Sequence, residues 1–430
     1  MFLQQSAPPA VSEAMSGTLS SPPVIDSGST AWMLSSSALV LLMVPGLALF
    51  YGGMVRKKNV LSTIAHSFAA MGVIGVQWVV LGYCLSFGQS FHGLIGWDTK
   101  SLGLLGVSFT QTFADKHIPE LVFVMFQGKF AIITPALISG AVAERMKFST
   151  YLVFILVWST FIYCPLAHWT WASDGWLFKL GVLDFAGGTV VHISSGASAL
   201  VLAKVLGRRR NVPLGSIQPH NLPLTLLGAG LLWFGWFGFN AGSAVAVEMP
   251  VSGFAAALAF TTTQAAAAAA ALTWMIVEWR DLGKPTGLGF ATGCVAGLVA
   301  ITPGAGHVKP VFALAIGVLA SMVCYRAVQL KKRFGYDDAL DAFGVHGVGG
   351  AFGALLTGVF CFTPSLGLVY GQVAQLGKQA LGVFVAALFA GVGTFIIAKV
   401  LDKTMGLRVT EEQESEGLDL ALHGEQGYHS

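Results

Sequence analysis

Charge is what this sequence has least of. Asp, Glu, Lys and Arg make up 10% of its 430 residues, where a soluble domain carries about a quarter. Hydrophobic residues make up 54% and the mean hydropathy is +0.71, so the chain is read as membrane-embedded. A basic stripe is also missing. The net charge of +3 implies nothing about nucleic acid, because the basic residues sit in short loops, and no nucleic-acid partner is expected. The five cysteines (Cys84, Cys164, Cys294, Cys324 and Cys361) show no paired spacing. Neither a disulfide framework nor a metal motif follows from them, and they read as reduced packing residues. The polar segments hold no nucleophile–base pair, metal motif or phosphate-binding glycine loop. The expectation is therefore a protein that is not an enzyme, with no cofactor and no metal. The first thirty residues lack an apolar core behind a basic start, which argues against a cleaved signal peptide. Rich in Ser, Pro and Ala, residues 1–30 read as a disordered extracytoplasmic tail.

What the sequence has in abundance is apolar runs. Eleven are long enough to span a bilayer: 31–53, 63–87, 119–143, 148–168, 188–206, 222–242, 250–277, 286–303, 309–330, 342–362 and 378–402. The 53 glycines suit helices that approach closely in lipid, and the run Ala265 to Ala271 reads as a packing seam of the same kind. Most Lys and Arg fall in loops on one side, including Arg56 to Lys58, Arg145, Lys147, Arg208 to Arg210 and Lys331 to Arg333. By the positive-inside rule that side is cytoplasmic, which puts the N-terminus outside and the C-terminus inside. The opposite loops carry Asp98, Asp115, Asp174 and Glu248 and would not repel a cation. Residues 403–430 are polar and acidic. They read as a cytoplasmic tail, either unstructured or docked on the inner loops.

Two spans carry a histidine each in otherwise apolar surroundings. In Leu183 to Arg210 an aspartate, Asp184, precedes His192 by eight residues. In Asp337 to Leu356 the same interval separates Asp338 from His346. An ionisable residue at membrane depth marks a functional site by default. These are the fifth and tenth spans, so the eleven parse as five plus five plus one. Halves with an odd number of spans have opposite topology. The fold expected is an all-α membrane protein with a five-plus-five inverted repeat and one extra C-terminal helix.

Six stretches resemble the ammonium transporter family, its bacterial branch in particular. They are PGLALFYGGMVRKKNVLS (Pro45 to Ser62), GAVAERMKFS (Gly140 to Ser149), DFAGGTVVH (Asp184 to His192), GWFGFNAGSA (Gly235 to Ala244), DAFGVHGVGG (Asp341 to Gly350) and GLRVTEEQESEGLD (Gly406 to Asp419). The resemblance makes 31–402 an ammonium transporter membrane domain and 403–430 a regulatory tail. It implies an outer recruitment site of Trp171, Phe126, Phe130 and Ser243. Phe130 and Phe239 would be the stacked rings gating the pore. His192 and His346 would be the paired pore histidines, able to relay a proton, and Asp184 would support the outer vestibule. It further implies a homotrimer with one pore per subunit in the inner (plasma) membrane, and a PII-type signalling protein at the cytoplasmic face. Lys129 departs from the pattern, since a small polar residue usually stands between Gly128 and Phe130. It lies about 100° round the helix from Phe130.

The residues support that chemistry independently. Ammonium and potassium share charge and size, but only ammonium can shed a proton. A narrow apolar passage therefore separates them by that property, because a bare charge at membrane depth costs about 2.5–3.5 kcal/mol on insertion scales. Aromatic faces hold a cation for about 0.5–2 kcal/mol, and Ser243 offers an acceptor. The expectation is an electrogenic ammonium transporter, with methylammonium as an analogue. The alternatives are a Rhesus-like neutral gas channel and an ammonium sensor with little flux. On residue type alone, Asp184 is a helix cap before it is a ligand.

Overall fold

The computed structural model describes residues 24–108, 112–113, 117–210, 212, 218–244 and 253–428. Asp115 and Glu248, expected on the acidic face, and most of the N-terminal tail lie outside these residues. Eleven helical spans are present among the described residues: α1 (Ser27–Met54), α2 (Lys57–Phe87), α3 (Glu120–Val142), α4 (Phe148–Leu180), α5 (Gly188–Leu206), α6 (Leu222–Gly242), α7 (Gly253–Leu282), α8 (Gly287–Gly304), α9 (Pro310–Phe334), α10 (Phe343–Phe360) and α11 (Ala374–Thr404). A two-residue hairpin pairs Ser90–Phe91 with Ile95–Gly96 between α2 and α3. The all-α, eleven-span fold expected from the sequence is the one observed.

Most boundaries differ from the hydropathy reading, several by a few residues or more, and two of the helix starts have an identifiable cap as their cause. α1 starts at Ser27 rather than 31, because the Asp26 carboxylate accepts the Ser29 N–H and caps the helix. The α-helical part of α2 starts at Val60 rather than 63, and its first-turn partner comes from far away in sequence. The Asp419 carboxylate accepts the Leu61 and Ser62 N–H groups, satisfying donors that a helix start leaves open.

Small residues set the packing. α1 and α6 cross at Gly46, Gly53, Gly228 and Gly235, where any added Cβ would strike the facing helix. In the Ala265–Ala271 run, both Gly297 of α8 and Gly317 of α9 back onto the Ala266 carbonyl. Lipid supplies no hydrophobic drive between helices, so close contact of this kind is what holds them. The α11 window is only 22% buried, which leaves that helix on the outside of the bundle.

The face carrying the basic loops is closed by a buried ionic cluster. Glu144 accepts from Arg56 N and Nε, from Asn59 Nδ2 and, through its other oxygen, from Arg209 Nη1 at 2.9 Å. Arg209 also makes a fork on Asp337, with Nε and Nη2 at 2.8 and 2.7 Å. Burial would raise the Asp337 pKa, but the Arg209 hydrogen bonds and charge outweigh it and hold the carboxyl at about 2. Glu144 is held below its ordinary range in the same way, by Arg209 and Arg56 against burial. Residues 407–428 pack onto this cluster. Lys147 N donates to Leu407 O and Val409 N to Arg145 O. Glu414, itself buried, binds Arg408 and the Arg210 N–H. Leu418 N donates to Asn59 Oδ1, and the Tyr428 hydroxyl reaches His220 and Asn221.

Candidate functional site

Each facing histidine sits in the opening turn of its helix, which is wound more widely than the α-helix that follows. His192 lies in the π-helical turn Gly188–Ile193, and His346 in the π-helical turn Phe343–Gly347. Wide turns of this kind recur at functional sites. The aspartate eight residues upstream explains how each turn is held. Asp184 accepts from the N–H groups of Gly187, Thr189 and Val190 at 2.9–3.0 Å. Asp338 accepts from Ala342 and Phe343 at 3.1 and 2.7 Å. Both carboxylates therefore cap the start of a histidine-bearing helix. Burial raises the Asp184 pKa, opposed by these backbone donors. Asp338 rises to about 6, through burial first and the charge of Asp341 second.

Backbone contacts between α5 and α10 are reciprocal. Gly196, four residues after His192, lies so close to α10 that an added Cβ would sit 2.2 Å from Gly347 N. Gly350, four residues after His346, would place a Cβ 2.9 Å from His192 Cβ. The two histidine-bearing helices thus approach each other closely on either side of the imidazoles. His346 Nδ1 and His192 Nδ1 are 3.2 Å apart, with ring centroids at 5.3 Å. One Nδ1 must donate and the other accept, so the pair cannot carry a proton on both Nδ1 atoms. His192 Nε2 is buried and unpartnered.

A column of rings leads to this pair. Phe126 and Phe130, one turn apart on α3, meet edge to face at 4.9 Å, and Phe130 meets Trp171 at 5.8 Å. Phe130 stacks on Phe239 of α6 at 4.2 Å. Phe239 stacks on His192 at 6.1 Å, and Trp236 flanks the same imidazole at 5.4 Å. Ser243 Oγ donates to Phe239 O, which leaves its lone pairs as acceptors. The Trp171 indole N–H donates to Asp184 O, tying this ring to the cap. Between the rings and His346 lies a cavity of about 10 Å³ lined by residues such as Met43, Leu137, Val191 and Trp236 along with both imidazoles. A second one of similar size lies beyond His346, bounded by Tyr51, Thr292 and Asp341. Each is about the size of one water molecule.

Six of the residues singled out in the sequence, Phe126, Phe130, Trp171, Phe239, His192 and His346, are thus linked by successive ring contacts, with Asp184 bonded to Trp171 and Ser243 one turn beyond Phe239. Lys129 does not join them. It shares an i, i+4 stripe with Met125, which is 40% exposed, and so faces the outer surface of α3 rather than the ring column. Gly196, Gly350 and Trp236 were not singled out from the sequence. The signal for the glycines was present, since the aspartate–histidine interval continues to a glycine four residues on in both stretches. No cluster of three metal-ligating side chains occurs among the described residues.

Eleven spans around a narrow, apolar, two-histidine line fit the class of polytopic membrane transport proteins. The chain belongs to the ammonium transporter family, whose model matches residues 31–428. It is 49% identical over 409 residues to an ammonium transporter of Bacillus subtilis, covering 93% of this chain and 98% of that one. Against an ammonium transporter of Mycobacterium tuberculosis the identity is 50% over 440 residues, covering 94% and 91%. Among solved structures it resembles Mep2 of Saccharomyces cerevisiae, with a TM-score of 0.83 and 35% identity over 90% of this chain and 89% of that one. A structure named Sensor Amt Protein matches with a TM-score of 0.83 and 32% identity, covering 92% and 98%.

Proposed function

We propose that this protein takes up ammonium through the ring column and passes it as ammonia along the two-histidine line, with the proton carried separately. The observation that carries the reading is the 3.2 Å contact between His192 and His346 inside an apolar cavity. Trp171, Phe126, Phe130 and Ser243 form the recruitment site, where ring faces and a hydroxyl acceptor replace part of the cation's hydration. Stacking of Phe130 on Phe239 closes the entrance, and such a pair is worth only about 0.5–1.5 kcal/mol, so a ring can swing aside thermally. Ammonium then breaks one N–H bond. The proton passes to the imidazole pair, and the neutral amine continues past His346. Asp184 supports the site as a cap and does not bind substrate.

In this reading the chain lies in the inner (plasma) membrane with the N-terminus outside and the basic face in the cytoplasm, in line with the positive-inside rule. Subunits assemble as a homotrimer. The platform built on residues 407–428 is where a PII-type regulator docks. Its many contacts to the inner loops support a regulatory tail over a free one.

Ammonium-induced current in bilayers, compared with potassium current, tests the reading. Wild-type protein should give a saturable ammonium current and almost none with potassium. His192→Ala with His346→Ala should remove that discrimination. Methylammonium uptake without any current would leave only a neutral gas channel, and binding without flux would leave a sensor.

A further inference from the structure

α11 stands outside the two five-helix halves, yet the face it turns to them is not wholly apolar. Its buried residues are Gln375, Gln379, Gly382, Ala386, Ala390, Thr394, Ala398 and Leu401. Thr394 bonds Ser198 Oγ and the Trp158 indole, joining α5 and α4. Gln379 does something different. Its Oε1 accepts the Leu183 N–H at 2.7 Å, and its Nε2 donates to Leu183 O at 2.8 Å and to Ala354 O at 3.2 Å. Gln375 Nε2 donates to Gly181 O and to Gln379 Oε1, orienting that amide.

The two segments so joined are the ones that matter for the histidines. Leu183 immediately precedes Asp184, the cap of the His192 turn. Ala354 lies eight residues after His346 on the same helix. One side-chain amide therefore pairs with the peptide leading into one half of the site and with the helix of the other half. It does so from an element that belongs to neither. An apolar residue there would leave the partly buried Leu183 peptide without these two hydrogen bonds and remove the buried one to Ala354 O.

We propose that Gln379 is a positioning residue for the histidine pair, fixing the height of the His192 turn against α10, and that α11 serves as the brace which delivers it. The inference rests on reading His192 and His346 as the selective element. It does not touch substrate, so its loss should alter discrimination rather than only the amount of folded protein.

The test is the ratio of ammonium to potassium current per molecule in reconstituted full-length protein. Gln379→Met, close in volume and unable to make the three bonds, should lower the ratio about tenfold, the scale set by two or three lost interhelical hydrogen bonds. Gln379→Asn withdraws the amide by one methylene and gives the same test should the Met variant fail to accumulate. Thr394→Val is the control, since it breaks polar contacts of the same helix to Trp158 on α4 and to Ser198 on α5, six residues beyond His192, while leaving the Leu183 peptide and α10 untouched. It should lower thermal stability and leave the ratio unchanged. A Gln379→Met ratio equal to wild type, or a fall no larger than that of Thr394→Val, overturns the proposal. The double histidine variant is run alongside. If it alters the ratio while Gln379→Met does not, only the bracing role fails; if it leaves the ratio intact, the transport reading fails and the bracing role with it.

Discussion

Gly196 and Gly350 each follow one of the facing histidines by four residues, and each lets a backbone reach the opposite helix. The space is not equal at the two positions. A Cβ on Gly196 would lie 2.2 and 2.3 Å from the Gly347 backbone, which cannot move without moving His346. On Gly350 it would meet His192 Cβ at 2.9 Å and Gly188 O at 3.2 Å. Overpacking costs typically about 1–3 kcal/mol and more where backbone must shift. Gly196→Ala should therefore lower the melting temperature in detergent and abolish methylammonium uptake. Gly350→Ala should keep measurable uptake. Equal effects of the two would contradict the asymmetry. At this scale the sequence told half the story. The two histidines and their aspartates stood out because ionisable groups in apolar runs are rare. Trp236 did not, because an aromatic inside an apolar helix is ordinary core until its neighbours are known.

Helix α2 shows why element boundaries were less legible than element identities. Eleven runs were visible because a span needs about twenty apolar residues whatever surrounds it. The start of α2 depends on a carboxylate some 360 positions away in the chain, and local sequence carries no trace of that. Asp419 satisfies two N–H groups of the first turn while its neighbour Leu418 donates to Asn59. Asp419→Ala should strand those donors and loosen residues 407–428 together, leaving the spans folded. Limited proteolysis followed by mass spectrometry should show cleavage beyond Leu407 at least several-fold faster than in wild type. An unchanged cleavage rate would show that Arg408, Glu414 and Tyr428 hold the segment without it. The choice between a docked and a free tail was likewise out of reach of composition. An acidic, polar run reads the same whether its charges meet water or the arginines of another loop.

Across the molecule, charge is concentrated where the two halves and the tail come together. Arg209 bridges Glu144 and Asp337, with side chains almost wholly buried. Removing one partner of such a pair strands the others and costs about 3–5 kcal/mol. Arg209→Leu should thus be far more damaging than any substitution of an exposed basic residue. The pH dependence follows from Asp337. Its folded pKa of about 2 lies below the ordinary 3.8, so its contribution is complete above the ordinary value and is lost as pH falls through about 2. Between pH 5 and 8 the melting-temperature difference between wild type and Asp337→Asn should stay constant, and it should shrink as the pH falls from 4 towards 3. A difference that grew on acidification would reverse the sign of this argument.

The reciprocal seating of His192 and His346 has a further consequence for how the chain is made. The two residues are 154 positions apart, and at about 5–20 residues per second the ribosome needs roughly 8–30 s to travel from one to the other. Throughout that interval the early half sits in the bilayer with Gly196 facing no partner. Neither half can therefore be expressed as a working miniature, and a stall in translation between the two histidines would leave an unfinished cleft for the quality-control machinery to clear.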